Sequence, residues 1–246
     1  MIALAAAAVL FVAQTSHGQP KPPFTHVNSV RAADPKRAGA VLYALHCIQC
    51  HGPTLDGTVN GPSLRNAGAA DVDFNLSTGR MPLEVPGTEP MRGPPSMPRA
   101  DIDALIAYIT AHGAGPPIPA VGHANDIPRG RVLYEQNCQP CHGSTGDGAV
   151  AGYGWLAPSL KASTRLQTAE AVRVGPGIMP RFGERDIPQN DLDDLSAYVE
   201  ALHHPDDRGG YSLASAGPVG EGFAGWLIGL GVTTLVMLLV GERLKR

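Results

Sequence analysis

Aromatic side chains are scarce in this chain of 246 residues, at 5%, so its cores have few large rings to fill them. Long Lys/Arg runs are missing and the formal net charge is only −3, which leaves no case for nucleic acid as a partner. Cysteine is missing everywhere except in two short stretches, CIQCHG at 47–52 and CQPCHG at 138–143, which hold all four. That excludes a disulfide framework of any strength, because bridges Cys47–Cys50 and Cys138–Cys141 would close tiny loops and constrain little of the unfolded chain. Charge is missing from residues 222–241, GFAGWLIGLGVTTLVMLLVG. Against these shortages stand 30 Gly and 23 Pro, a composition that predicts much loop and modest helices.

As a helix, the uncharged segment 222–241 would run about 30 Å, enough to cross the hydrocarbon core of a bilayer. Trp226 stands near one end, where an amphipathic ring suits the interface, and ERLKR follows the other. A buried core helix would be shorter and less uniformly apolar. Arg243, Lys245 and Arg246 favour a cytoplasmic C-terminus, with everything before residue 222 on the extracytoplasmic side of the cell membrane. At the opposite end, residues 2–13 form an apolar run of signal-peptide length, without a basic region before it or a small-x-small site after it. A cleaved signal, a short anchor and a start codon called too late are all open there, and each points to export.

Between these ends the chain repeats itself. RAGAVLYALHCIQCHG (37–52) matches PRGRVLYEQNCQPCHG (128–143), GPSL (61–64) matches APSL (157–160), GRMP (79–82) matches GIMP (177–180), and DIDALIAYI (101–109) matches DLDDLSAYV (191–199). The order is the same in both halves, which predicts two small domains of one kind. The expected division is a signal-like or short anchor segment with linker at 1–34, a first domain at 35–113, a linker at 114–127 and a second domain at 128–203. A linker at 204–221, the span at 222–241 and a basic tail at 242–246 follow. Each half opens with a short helix ending at the Cys pair and closes with an amphipathic helix. The closing stripes are Ile102, Leu105, Ile106 and Ile109 in the first, and Leu192, Leu195, Val199 and Leu202 in the second. Gly39 and Gly130 lie on the opening helices, where the lack of a side chain lets a crossing helix approach; Tyr108 and Tyr198 are the expected neighbours. No strands are expected.

Three chemistries use a Cys-x-x-Cys pair. A zinc site needs four nitrogen or sulfur ligands, and each half offers at most two Cys and one His close together. A thioredoxin-like redox pair needs no His in that place and sits in a βαβ setting. Haem c needs two thiols spaced for its two vinyl groups and an imidazole beside them aimed at the iron, and Cys-x-x-Cys-His supplies all three. The expected cofactors are therefore two covalently attached haem c groups, one on Cys47 and Cys50 and one on Cys138 and Cys141, with His51 and His142 as proximal iron ligands. Met179 is the only Met between the second motif and the apolar segment, so it is the expected sixth ligand there. The first half offers Met81, Met91 and Met97; Met81 shares the G-x-M-P frame and is preferred, with Met97, also followed by Pro, as the alternative. Thioether ligation favours electron transfer over catalysis at the iron. Arg80 and Arg181 flank the Met-Pro pairs, where haem propionates and a plain surface role are both open. His46, His112, His123, His203 and His204 read as solvated residues.

Tandem Cys-x-x-Cys-His domains with downstream Met-Pro pairs, together with STGRMP, a Pro/Gly-rich insertion, GGY before the anchor and GPVGEGFAGWLIGLG leading into it, resemble a known family over residues 35–246. It is the dihaem cytochrome c subunit of actinobacterial-type cytochrome bcc complexes, which are menaquinol–cytochrome c reductases. The resemblance implies a mainly α fold of two tandem class I-like cytochrome c domains followed by a C-terminal transmembrane helix. It also implies a cytochrome b subunit and a Rieske iron–sulfur subunit as partners, a terminal cytochrome oxidase as acceptor, membrane lipid around the anchor, and activity only as a subunit of the reductase, a translocase. The alternative is a dihaem electron-transfer subunit of another membrane oxidase or of a periplasmic dehydrogenase. A dihaem peroxidase, which needs an exchangeable sixth ligand, is disfavoured by Met81 and Met179. A membrane-anchored binding module with structural Cys-x-x-Cys-His motifs would be colourless.

Overall fold

The computed structural model describes residues 34–122, 126–151, 154–203 and 217–244. The N-terminal apolar run, most of the 204–221 linker, His123, His204, Lys245 and Arg246 lie outside them.

Helix α1, Pro35–His46, begins where Asp34 accepts a hydrogen bond from the Lys36 amide at 2.9 Å and Pro35 occupies the first turn. A one-turn helix follows at once, α2 at Ile48–His51, and then α3 at Ala69–Ser77 and α4 at Arg99–Thr110. The second half repeats this order. Asp126 caps α5, Ile127–Asn137, by accepting from the Arg129 amide at 3.0 Å; α6 is Gln139–His142. Helix α7, Arg165–Val174, starts at a capping box formed by Thr164 and Gln167, and α8 runs Gln189–Ala201.

Each half closes around its own core. Ile102, Leu105 and Ile109 on α4 are buried with Leu42, Tyr43, Val72 and Leu76, while Ile106 packs at the edge. Leu192, Leu195 and Val199 on α8 are buried with Leu133, Tyr134, Val172 and Ile187, with Leu202 at the edge. The expected glycine crossings are present. A Cβ on Gly39 would stand 2.0 Å from the Ala104 carbonyl oxygen, and one on Gly130 would stand 2.1 Å from that of Asp194. The helices can therefore touch backbone to backbone only because these two side chains are missing. Over each crossing a tyrosine pair meets at a tilt with ring centroids 5.4 Å apart, Tyr43 against Tyr108 and Tyr134 against Tyr198.

One expectation fails. The second half contains an antiparallel hairpin of β1, Ala149–Val150, and β2, Leu156–Ala157. The first half has a single bridge in the same place, between Thr58 and Gly61. The longer stretch between motif and APSL in the second half gives the bridge room to extend, and strands of two residues carry no period that a sequence reveals.

The halves are not separate beads. Helix α3 packs on α7 across the boundary, and Arg92, in the Pro/Gly-rich segment before α4, donates to the Ala162 carbonyl and to Gln167 Oε1. The Gly/Pro linker is fastened at both ends: Pro116 O accepts from the Ala70 amide at 3.1 Å, and Ala120 O accepts from Gln189 Nε2 at 2.6 Å. Helix α9, Gly217–Leu244, completes the chain. Its stretch Gly222–Arg243 is long and apolar enough to cross a membrane and buries nothing against the rest of the molecule.

Candidate functional site

The opening helix of each half stops at its first cysteine, and the one-turn helix behind it carries the second cysteine and the histidine. Cys47 N donates to Tyr43 O at 2.9 Å and His51 N to Cys47 O at 2.9 Å, so Cys47, Cys50 and His51 share a single wound segment. Cys138, Cys141 and His142 repeat it, with amide bonds of 2.8 Å from Cys138 to Tyr134 O and 2.9 Å from His142 to Cys138 O. The next residue turns the chain away: Gly52 and Gly143 have φ of 75° and 74°, a left-handed conformation open to glycine. The buried tyrosine of each opening helix pins that turn, Tyr43 Oη donating to Gly52 O at 2.7 Å and Tyr134 Oη to Gly143 O at 2.6 Å.

The loop then doubles back over the histidine. Gly57 N donates to His51 O at 2.9 Å, and Gly148 N to His142 O at 3.0 Å. This brings a proline carbonyl onto each ring: Pro62 O lies 2.8 Å from His51 Nδ1, and Pro158 O lies 3.0 Å from His142 Nδ1. A carbonyl can only accept, so Nδ1 carries the proton and Nε2 is left with its lone pair, the state an iron ligand requires. Burial also favours the neutral ring, holding the His142 pKa below its ordinary value although the Pro158 carbonyl pulls it up.

The thiols fit neither rival chemistry. Burial, and then the neighbouring Cys50, pushes the Cys47 thiol up to about 12; burial and Cys141 do the same to Cys138. A redox-active Cys pair is tuned the other way, toward thiolate. Among the described residues no three His, Cys, Asp or Glu side chains gather into a metal-holding cluster.

The methionines fall into three environments. Met81 is half-buried against the first core, its amide bonded to Asn75 O at 3.1 Å just past α3. Met179 is half-buried against the second core, its amide bonded to Pro176 O at 3.1 Å just past α7. Met97 is 8% exposed and belongs to the first core itself, whereas Met91 is 66% exposed.

Cations accompany both sites. The Arg80 guanidinium lies 4.6 Å above the Phe74 ring, with Nη1 buried and without a partner, so a plain surface role does not describe it. Arg181 is exposed. In its place the second half buries Arg173 of α7, which donates Nη1 to Phe182 O at 3.1 Å and leaves Nη2 unpartnered. Sequence reading missed Arg173 because Ile178, not a cation, stands where Arg80 stands in the Met-Pro frame. Buried guanidinium nitrogens left without a partner suit the acid groups of a porphyrin. Among the remaining histidines, His112 Nδ1 lies 2.7 Å from Tyr108 O and His203 Nε2 3.1 Å from Leu160 O, both tied to backbone.

Comparison with known proteins agrees with this geometry. Residues 37–112 match the family model described as cytochrome c, and residues 125–199 match the one described as cytochrome c oxidase, cbb3-type, subunit III. The cytochrome bc1 complex cytochrome c subunit of Mycobacterium tuberculosis is 34% identical over 98% of this chain and 91% of its own length. Proteins of the same name from Mycobacterium leprae and Corynebacterium diphtheriae are 35% and 32% identical over 96% and 83% of this chain, and 86% and 80% of their own lengths. The chain belongs to this family. As a member of the cytochrome bc1 complex cytochrome c subunits it has two cytochrome c domains in tandem and two covalently attached haem c groups. Its C-terminal apolar helix is the candidate anchor.

Proposed function

We propose that the chain is the dihaem electron-transfer arm of a membrane quinol–cytochrome c reductase, passing electrons from a Rieske iron–sulfur subunit to a terminal oxidase. The observation that carries this reading is the pair of matched Cys-x-x-Cys-His turns, each with its histidine Nδ1 tied to a proline carbonyl, in a chain whose relatives are named as the cytochrome c subunit of a bc1 complex.

In this reading Cys47 and Cys50 would hold one haem by thioether bonds and Cys138 and Cys141 the other, while His51 and His142 would offer Nε2 to iron. Met81 and Met179 would each offer a thioether sulfur as a further ligand. Both stand half-buried after equivalent helices in the same G-x-M-P frame, whereas Met97 is packed into the first core. Arg80 and Arg173 would hold propionates. Bound there, a haem supplies a one-electron iron couple whose potential a methionine ligand raises. The protein's residues fix the imidazole tautomer, pin the turn after each histidine through Tyr43 and Tyr134, and would occupy, with a methionine, the position that an oxygen or peroxide enzyme leaves open. The subunit therefore has no catalysis of its own; it serves the oxidoreductase as a relay. Helix α9 crosses the cell membrane with Arg243 on the cytoplasmic side and both haem domains outside, beside the cytochrome b and Rieske subunits.

The match of residues 125–199 to the cbb3-type oxidase model favours one other reading, a dihaem subunit of an oxidase. Gentle solubilisation, capture on a tag placed after Arg246, and a reduced-minus-oxidised spectrum separate the two. The reductase reading expects c-type bands together with b-type bands and a Rieske signal. Bands of an oxidase without a Rieske signal would favour the other, and c-type bands alone under several mild detergents would refute both.

A further inference from the structure

The contact between α3 and α7 contains a carboxyl pair. Asp73 on α3 is 1% exposed and Glu170 on α7 is 0% exposed. Asp73 Oδ1 accepts from Arg99 Nη1 at 2.5 Å, and Arg99 also holds Asp103 at 2.7 Å. The remaining oxygen, Asp73 Oδ2, and both oxygens of Glu170 are buried and meet no N–H or O–H donor. As two bare carboxylates, the pair could neither donate to each other nor escape their repulsion where water is excluded. A single proton resolves both difficulties, because Glu170 as a carboxylic acid then donates to Asp73 across the boundary.

The surrounding charges leave this as the way to satisfy the pair. From α4, Arg99 favours the ionised form of Glu170, but burial and then the Asp73 charge outweigh it and push the Glu170 carboxyl up to about 9. Arg92 is engaged by Ala162 O and Gln167 Oε1, and Arg173, one turn along α7, gives Nη1 to Phe182 O while its Nη2 bonds neither carboxyl. On α3, Asp71 accepts from Asn75 Nδ2 at 2.8 Å and lies within the fields of Arg181 and His51. Helix α8, also packed on α7, has no basic residue. Its acids are taken up elsewhere: Asp191 by Arg129, Asp193 by Gly122 N and Gln189, Asp194 by Asp126 N, and Glu200 by Arg165.

We infer that Asp73 and Glu170 share one proton across the domain boundary, so that docking of the two haem domains depends on a bound proton. The proton sits on the two helices that lead into the Met81 and Met179 segments, at the joint between the electron-carrying halves. A carboxyl whose folded-state pKa stands above its free value stabilises fully below the free value and loses that contribution as pH climbs to the folded one. Here the window runs from the ordinary carboxylate range up to about 9.

The test compares the full-length haem-loaded protein with Glu170→Gln, whose amide donates to Asp73 at every pH. At a pH above 9, backbone amides of α3 and α7 are expected to exchange hydrogen severalfold faster in the wild type than in Glu170→Gln, while amides of α1 and α5 exchange equally in both. At pH 4, below that window, the two proteins exchange alike everywhere. Thermal unfolding gives the second reading: the midpoint of the wild type falls from pH 6 to pH 10 relative to that of Glu170→Gln. Should Glu170→Gln fail to fold, Asp73→Asn serves, because its amide can donate to an ionised Glu170 and moves the pH-dependent step down toward the carboxylate range. Parallel pH profiles for wild type and Glu170→Gln, or an unmoved step in Asp73→Asn, would overturn the inference.

Discussion

The two haem domains share one ligand turn and close the loop behind it differently. In both, a tyrosine holds the glycine after the histidine and a proline carbonyl holds the ring. Between these fixed points the first domain uses a single bridge and the second a hairpin. Where the second domain places Gly146 at φ 70°, the first forces Leu55 to φ 63° and buries it to 1% exposure. Left-handed backbone costs a leucine roughly 1–2 kcal/mol, and burial of its side chain contributes about as much in return. The second domain avoids the strain and gives up the packing. The proline carbonyl on each imidazole is thus held constant, while the loop that brings the proline there is free to differ. The histidine environment differs as a result: His142 is buried and His51 only half so.

The comparison breaks most visibly if the motifs are removed one at a time. Replacing Cys47 and Cys50 together by Ala, or Cys138 and Cys141 together, should halve the haem content per chain, read from the absorbance of the reduced protein against its mass. Next in size is the sixth ligand. Met81→Leu and Met179→Leu should each lower the reduction potential of one haem and remove half of the sulfur-to-iron charge-transfer absorption of the oxidised protein. Met97→Leu should keep both signals and cost less than about 1.5 kcal/mol, as a volume-conserving core exchange does.

Gly39→Ala and Gly130→Ala sharpen the likeness. In each, the new methyl would stand about as close to a carbonyl of the crossing helix as the other, so each should destabilise its own domain by roughly 1–3 kcal/mol in denaturant unfolding. A loss confined to one of them would show that the crossings are not equivalent. The smallest effect expected is from Tyr43→Phe and Tyr134→Phe, about 1 kcal/mol each for one hydrogen bond, measured the same way.

Much of this was legible in the sequence because it repeats. The paired motifs, the closing helices and the glycines opposite tyrosines are local patterns, each seen twice. Helices α3 and α7 were not read. They are short and mixed in polarity, although the Thr164-x-x-Gln167 capping box does mark the start of α7. The domain contact was invisible for a deeper reason. Asp73, Glu170, Arg92 and Arg99 look like solvated charges in any one-dimensional reading, and only the meeting of the two repeats buries the two acids. Arg173 was missed because the second repeat moves its buried cation from the Met-Pro frame to the preceding helix. The Gly/Pro linker resembles a loose tether by composition, yet its carbonyls accept bonds from both domains.

Mixing the isolated complex with a reduced quinol and following the c-type and b-type absorbances separately tests the central claim most directly. The relay account predicts that the c-type bands become reduced on the timescale of turnover, and that they stay oxidised when the Rieske subunit is removed. Reduction of the b-type bands alone in the intact complex, with the c-type bands remaining oxidised, would contradict it.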